Sequence, residues 1–480
     1  MQRDIRQITG DRIGGGMGVL PTILVATPSR LLEHLEGNSP LNKNFRSNGP
    51  NHIQLRKNKS KFANVLAETK IVVLDETDRL LQKSNQRETQ KILGFLARPG
   101  KRQTLLFSAT FPRAVRRFLS NSSIMSKKKK QDTDEDDYRD FLEVDCISNN
   151  EGINSRDSGV ISTLGLDSAD DDRSINMKKS SKSANQKRVE EFFVGLENMS
   201  QYIPCLLTIL RREQQRDNQN YKILVFFPAG RLVRFLFQFF TIGGLESKDN
   251  LWEIHSRMSQ SSRTRASNAF RNARKGILFS SDVSARGLDY PDVSLVIQLG
   301  APSNDQDYIH RIGRTGRAGK VGKGILVLLP FEEIERNARN RNPQRPSSRR
   351  SSLVSYRNDV NLQEDRQLAS WLNESEESES LYQRCKDDLE DIRLKVRSGH
   401  VVLTPGAQAS YKTFLAHYIA ATRSAYSNRS SNGKGKSTSE IFTHAQDFVR
   451  GIGLAYAPAL DDDLASKLGL PKQINAKKDR

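Results

Sequence analysis

Short apolar runs that do not alternate with polar residues, each closed by an acidic or hydroxyl cluster, constrain this chain most. Ile71-Val72-Val73-Leu74 leads directly into Asp75-Glu76-Thr77-Asp78, and Thr104–Phe107 leads into Ser108-Ala109-Thr110. Ile277–Phe279 likewise precedes Ser281 and Asp282. An apolar run without alternation suits a strand covered on both faces, as in a parallel sheet packed between helices. The fold class expected is therefore α/β. Open sheets of this kind bind ligands beyond the carboxyl ends of their strands, where these polar clusters stand. An acid so placed can hold a magnesium ion bound to nucleoside phosphates. A polar loop following a core strand would read the same way for any single cluster.

A second feature lies downstream. His310-Arg311-Ile312-Gly313-Arg314-Thr315-Gly316-Arg317 spaces three arginines three apart, with a glycine before each of the last two. Arginine offers a fixed fork of donors that matches phosphate oxygens and stays charged. Glycine within a helix costs about 1 kcal/mol relative to alanine, so these two suit a sharp turn or a close approach to a ligand. A solvated basic patch is the plain alternative, since Lys+Arg total 76 against 56 Asp+Glu, a net charge of +20. That excess favours polyanionic partners through counterion release.

Taken together, these residues resemble the DEAD-box family of ATP-dependent RNA helicases. Asp75-Glu76-Thr77-Asp78 stands where the family has Asp-Glu-Ala-Asp, with threonine for alanine. Ser108-Ala109-Thr110 matches its Ser-Ala-Thr motif, and residues 310–317 match its arginine-finger motif unchanged. Ser281–Asp289 is similar to the motif that touches RNA and ribose, and Thr27-Pro28-Ser29-Arg30 to the RNA-binding Thr-Pro-Gly-Arg. Gly14-Gly15 fits the paired glycines, Gln260 and Arg263 the Gln-x-x-Arg pair, and Ile223–Phe227 the first strand motif of the second domain. The order and spacing hold over about 1–335.

The resemblance implies two RecA-like parallel-sheet lobes, the first incomplete, followed by a helical carboxyl-terminal extension. It implies ATP and Mg2+ as cofactors, with Asp75 holding magnesium through water and Glu76 orienting or deprotonating the attacking water. Arg314 and Arg317 would reach the γ-phosphate, and Asp289 would accept from the ribose hydroxyls. Asp78, Ser108, Thr110, His310 and Arg311 would couple nucleotide state to lobe contacts. RNA would meet Gly15, Thr27, Arg30, Gln260, Arg263, Ser281 and Arg286 through phosphates and 2′-hydroxyls, with little sequence selectivity.

One departure accompanies the match. The 480 residues contain neither the family's glutamine motif nor its Gly-rich loop ending in Gly-Lys-Thr. Gly435-Lys436-Ser437 is no substitute, because Ser430 occupies the position of the earlier glycine. The expectation is an amino-terminally truncated helicase with little ATPase activity of its own. The alternative is a non-catalytic RNA-binding module derived from one.

Along the chain, residues 1–147 are expected to form the first lobe, with strands near 22–26, 71–74 and 104–107. An insertion at 37–62 is rich in Asn, Lys, Ser and Gly, and a linker at 148–187 in Ser, Asp, Asn and Lys. Residues 188–335 form the expected second lobe, with strands near 223–227, 277–280, 293–299 and 325–329. A basic and polar tether spans 336–400, and a helical extension 401–475, resembling the appendage of RNA-chaperone members of the family. Cys146, Cys205 and Cys385 are too few and scattered for a disulfide framework and point to a reducing compartment. No apolar run approaches the ~20 residues of a membrane span. A monomer without a membrane partner is expected, with the compartment left open.

Overall fold

The computed structural model describes residues 23–36, 66–82, 85–97, 101–108, 189–282, 290–302, 305–317, 320–330, 362–373, 379–426 and 438–460, together with Ala63, Glu332 and four short strands. Two compact units divide the chain, Met1–Ser181 and Lys182–Arg480. The 37–62 insertion, most of the 148–187 linker and residues 336–361 of the expected tether lie outside the described residues.

In the first unit, β1 (Ile71–Leu74) and β2 (Gln103–Leu106) pair in parallel, Ile71 opposite Gln103 and Leu74 opposite Leu106. Around them stand α1 (Pro28–Glu36), the single turn α2 (Thr77–Leu80) and α3 (Gln86–Phe95). Leu74 packs with Leu81 and Leu93, with Val72 and Leu106 against the same cluster. A second cluster joins Leu32 and Leu35 of α1 to Ile92 of α3. Arg102 closes α3 by donating to the carbonyls of Leu93 and Ala97, a cation at the negative end of the helix.

Two expectations are corrected here. The β1 run was read as covered on both faces, yet Ile71 and Val73 are 58% and 53% exposed. The helices α2 and α3 pack on the Val72 and Leu74 side alone, and alternate side chains of a strand point to opposite faces. The strand expected near 22–26 is also absent: residues 23–27 have no regular structure, and Ile23 and Val25 are open to solvent. Apolar composition without a hydrogen-bonded neighbour does not make a strand. Two small antiparallel pairs follow, β3 (Lys127–Lys128) with β4 (Asp137–Tyr138) and β5 (Leu142–Val144) with β6 (Ile161–Thr163).

The second unit is a seven-stranded, wholly parallel sheet. Its strands are β7 (Val189–Gly195), β8 (Lys222–Phe226), β9 (Leu251–Ile254), β10 (Gly276–Ser280), β11 (Leu295–Leu299), β12 (Gly322–Leu328) and β13 (Gln363–Glu364). They run in the order β13-β7-β12-β11-β8-β10-β9. Every residue of β8, β10 and β11 is buried, as non-alternating runs demand. Ile223 and Val225 face α4 (Tyr202–Arg216) and α5 (Gly230–Ile242), whereas Leu224 and Phe226 face α6 (Gln260–Asn272) and α7 (Asp305–Ile312).

A third layer covers α4 and α5. It comprises α8 (Arg366–Leu372), α9 (Leu381–Arg397), α10 (Leu403–Tyr426) and α11 (Thr438–Gly451), and its apolar residues join the same core as the sheet. The expected tether is therefore structured over its second part. Asp365 caps α8 through the Leu368 amide at 3.1 Å, and Ser380 caps α9 through Gln383 at 3.2 Å. The α9 stripe Tyr382, Cys385, Leu389, Ile392 and Val396 steps by three and four, which places it on one buried helix face. The extension helix begins at Leu403, before the aromatic run at 411–418, while 458–460 are not helical and 464–470 lie outside the described residues. No described helix is long and apolar enough to cross a membrane.

Candidate functional site

In the first unit the expected acids gather at the carboxyl ends of β1 and β2. Asp75 is exposed, and its Oδ1 accepts from the Glu76 amide at 2.9 Å. Glu76 holds a left-handed backbone, φ 49° and ψ 50°. For a residue other than glycine such geometry costs about 1–3 kcal/mol and concentrates at functional sites. It turns the chain into α2 and buries Thr77 and Asp78, at 0% and 2% exposure. The neighbouring strand completes the arrangement: the Thr77 amide donates to the Phe107 carbonyl at 2.9 Å and the Asp78 amide to Ser108 Oγ at 3.2 Å. Thr77 Oγ1 donates back to the Leu74 carbonyl, an interaction the alanine of the common motif could not make.

Thr27 and Arg30 flank the start of α1. The Thr27 carbonyl receives the first helical amide, from Leu31 at 3.0 Å, and the exposed Arg30 pairs with Glu33 at 3.3 Å. Ser29 Oγ donates to Glu88 of α3 at 2.6 Å, fixing the two helices at that end. Gly15 and Thr110 lie outside the described residues.

The second unit assembles a separate cluster. Arg311, near the end of α7 and with its side chain 4% exposed, reaches a single oxygen of Asp282, Oδ1, with Nε at 2.8 Å and Nη2 at 2.7 Å. Its Nη1 donates to Gln298 Oε1 of β11 at 3.4 Å, and its guanidinium lies 5.4 Å from the centre of the Phe226 ring. The Arg314 Nε donates to the His310 carbonyl at 3.1 Å and the Arg317 Nε to the Gly313 carbonyl at 2.7 Å. Each guanidinium is thus held by the turn below it. Gly316 has φ 67°, and a Cβ on Gly322 would sit 2.1 Å from Thr315 Oγ1, so close approach explains a glycine at the start of β12.

Ser281 follows β10 with its amide on the Ile254 carbonyl at 3.2 Å, which ties it to β9 and the loop before α6. Gln260 opens α6 behind the Ser259 cap, exposed, and Arg263 lies one turn on, half-buried. Asp289 and Arg286 lie outside the described residues. Arg314 and Arg317 line a cavity of about 360 Å³ with Arg274, Lys320, Asn220, Tyr290 and Asp292. Arg274 and Lys320 were not singled out in the sequence; they answer to no motif and reach this cavity only through the fold. Asp282 lies within a motif, but its pairing with Arg311 spans 29 residues and is not visible in the sequence.

Residues 3–118 match the family described as DEAD/DEAH box helicase, and 201–319 match the helicase conserved C-terminal domain. DEAD-box ATP-dependent RNA helicase 26 of Oryza sativa subsp. japonica is 29% identical over 448 residues, 93% of this chain and 61% of that protein. Its namesake in Arabidopsis thaliana is 30% identical over 448 residues, 93% of this chain and 39% of that protein. The chain thus spans between about two-fifths and three-fifths of these relatives' lengths. Among solved structures, Mss116p bound to ssRNA and AMP-PNP superposes with a TM-score of 0.56 at 21% identity, over 94% of this chain and 68% of that one. That likeness shows the fold: RecA-like helicase lobes with carboxyl-terminal helices.

Proposed function

The chain belongs to the DEAD-box RNA helicase family, and we propose that it serves ATP-dependent remodelling of RNA. The observation that carries this reading is the bond between the Asp78 amide and Ser108 Oγ, which joins the acidic motif to the serine motif at the ends of neighbouring strands. Asp75, a carboxylate exposed at the end of β1, suits magnesium, a hard cation that keeps several waters and is bound through one or two carboxylates plus phosphates. When bound, that ion neutralises charge developing on the phosphates.

Glu76 orients the attacking water or takes its proton. Arg314 and Arg317 supply guanidinium donors to the transferred phosphoryl group; such a finger contributes about 10³–10⁵ in rate in nucleotide hydrolases. Asp289 accepts from the ribose. Asp78, Ser108, Thr110, His310 and Arg311 pass the nucleotide state to the RNA-facing residues. These are Gly15, Thr27, Arg30, Gln260, Arg263, Ser281 and Arg286, which hold backbone phosphates and 2′-hydroxyls. Plant relatives named as RNA helicases and a fold shared with an RNA-bound protein support the assignment.

These 480 residues include no Gly-x-x-x-x-Gly-Lys-Ser/Thr loop, and a chain limited to them is expected to bind RNA while hydrolysing little ATP. This favours the second reading, a non-catalytic RNA-binding module, for the chain on its own. One experiment separates them: titrate single-stranded RNA at several salt concentrations and follow phosphate release with and without RNA. Salt-dependent binding with negligible hydrolysis is expected. RNA-stimulated hydrolysis abolished by Glu76→Gln would refute the non-catalytic reading, and absence of RNA binding at low salt would end both.

A further inference from the structure

The carboxyl ends of β11 and β12 meet an element outside the motifs. Gly300, which follows β11, has φ 90°. A Cβ there would lie 2.5 Å from Tyr418 Oη and 3.6 Å from Glu332 Oε1. Tyr418 belongs to α10, and Glu332 follows β12. Glu332 is 8% exposed, and its carboxyl accepts from the Ala301 amide at 3.0 and 3.1 Å and from the Leu329 amide at 3.0 Å. One buried carboxyl group therefore ties together the turns that follow both strands, with the Tyr418 hydroxyl packed against one of them. From the Gly300–Ala301 turn the chain proceeds to α7, which carries His310 and Arg311.

His417, the residue before Tyr418, is half-buried; burial holds its imidazole below the ordinary value, with the charge of Asp282 raising it and that of Arg311 lowering it. Those are the two halves of the ion pair described above. The rest of α10 is anchored independently: Gly406 lies against Phe235, and Ser410 Oγ donates to the Arg231 carbonyl at 3.3 Å. Phe414 stacks on Phe448 of α11 with ring centres 4.7 Å apart. An element seated this firmly can hold a turn in place.

We propose that α10 is a positioning element for the arginine motif, in which Tyr418 and Glu332 fix the Gly300–Ala301 turn and His417 flanks the Arg311–Asp282 pair. The inference rests on the role given above to that motif. It goes further in making the extension part of the apparatus that sets where those arginines stand.

The test reads Arg311 directly. In the full chain, without RNA or nucleotide, the Arg311 Nε–H hydrogen-bonded to Asp282 gives a slowly exchanging NMR signal. His417→Ala and Tyr418→Phe are expected to speed its exchange about tenfold or more by local opening, with global unfolding changed no more than in a control. The control is Thr413→Ala on the same helix, whose hydroxyl donates to the Ala409 carbonyl of its own turn. Glu332→Gln, which keeps an oxygen acceptor, should retain wild-type protection where Glu332→Ala loses it. Exchange at Arg311 that is the same in Tyr418→Phe and His417→Ala as in the control overturns the proposal. So does acceleration that merely tracks global unfolding. Because neither RNA nor ATP is present, such a failure leaves the helicase reading intact.

Discussion

At the scale of single residues, Glu332 makes the sharpest quantitative statement. Burial pushes its carboxyl up to about 7, outweighing the Leu329 and Ala301 amides and the Arg311 charge, which pull it down. The folded state thus binds the proton more tightly than the unfolded chain, whose carboxyl titrates near 4.5. Its contribution is intact below pH 4.5 and disappears as pH climbs through 7, a loss of about 3 kcal/mol by linkage. Urea melts of wild type and Glu332→Gln between pH 4.5 and 8 should diverge accordingly, the wild type losing more stability as pH rises. Parallel curves would show that the carboxyl is solvated. Ser108 gives a second case. Replacing it with alanine deprives the buried Asp78 amide of its acceptor, which costs about 1–3 kcal/mol where no water takes over. Faster exchange of that amide in Ser108→Ala would register the loss, and unchanged exchange would argue that the motif bond is incidental.

Elements differ in how much of themselves they write into the sequence. β8, β10 and β11 were legible because every residue is buried, so the apolar run is unbroken. β7 was not, because it lies beside the two-residue β13 near the sheet edge and carries Glu190 and Glu191, the latter accepting from the Tyr308 hydroxyl. α9 hid for a related reason: charged residues outnumber the five that form its buried stripe, and a reading by composition sees only a polar segment. The site showed the same division. Asp75, Glu76 and the arginines were visible as motifs, whereas Glu332 belongs to no motif and is one of three acids within 332–335, and its two amide donors, Ala301 and Leu329, come from two separate turns. The shared core of sheet and extension leads to a prediction at this scale. Phe414 is 1% exposed among both, and Phe414→Ala should cost about 3–5 kcal/mol. The chain's two tryptophans, Trp252 in β9 and Trp371 in α8, report the sheet and the extension separately. Single-tryptophan variants should melt at one midpoint, and both should fall together in Phe414→Ala. An earlier transition confined to Trp371 would mean that the extension is an independent appendage.

For the molecule as a whole, the two units are unequally built. The second buries both faces of its central strands β8, β10 and β11 within a seven-stranded sheet, whereas the first presents Ile71, Val73, Leu105 and Phe107 to solvent from a two-stranded pair. Parallel strands are ordinarily covered on both faces, and an exposed apolar surface of this kind marks an interaction site or an aggregation liability. Unfolding should therefore occur in two stages. Both tryptophans belong to the second unit, so far-ultraviolet circular dichroism should detect an early loss of structure that fluorescence does not. The exposed face itself can be tested by substitution. Val73→Thr keeps the branched side chain that suits a strand but replaces a methyl with a hydroxyl. On an open face it should change stability by no more than about 0.5 kcal/mol. Binding of a hydrophobic dye should fall in Val73→Thr, and further in Ile71→Thr/Val73→Thr, with aggregation on storage falling in step. Were the same substitutions to destabilise the protein by the roughly 1–3 kcal/mol typical of burying an unpaired hydroxyl, Val73 would be a core residue in solution. Some further part of the protein would then have to cover that side of the sheet.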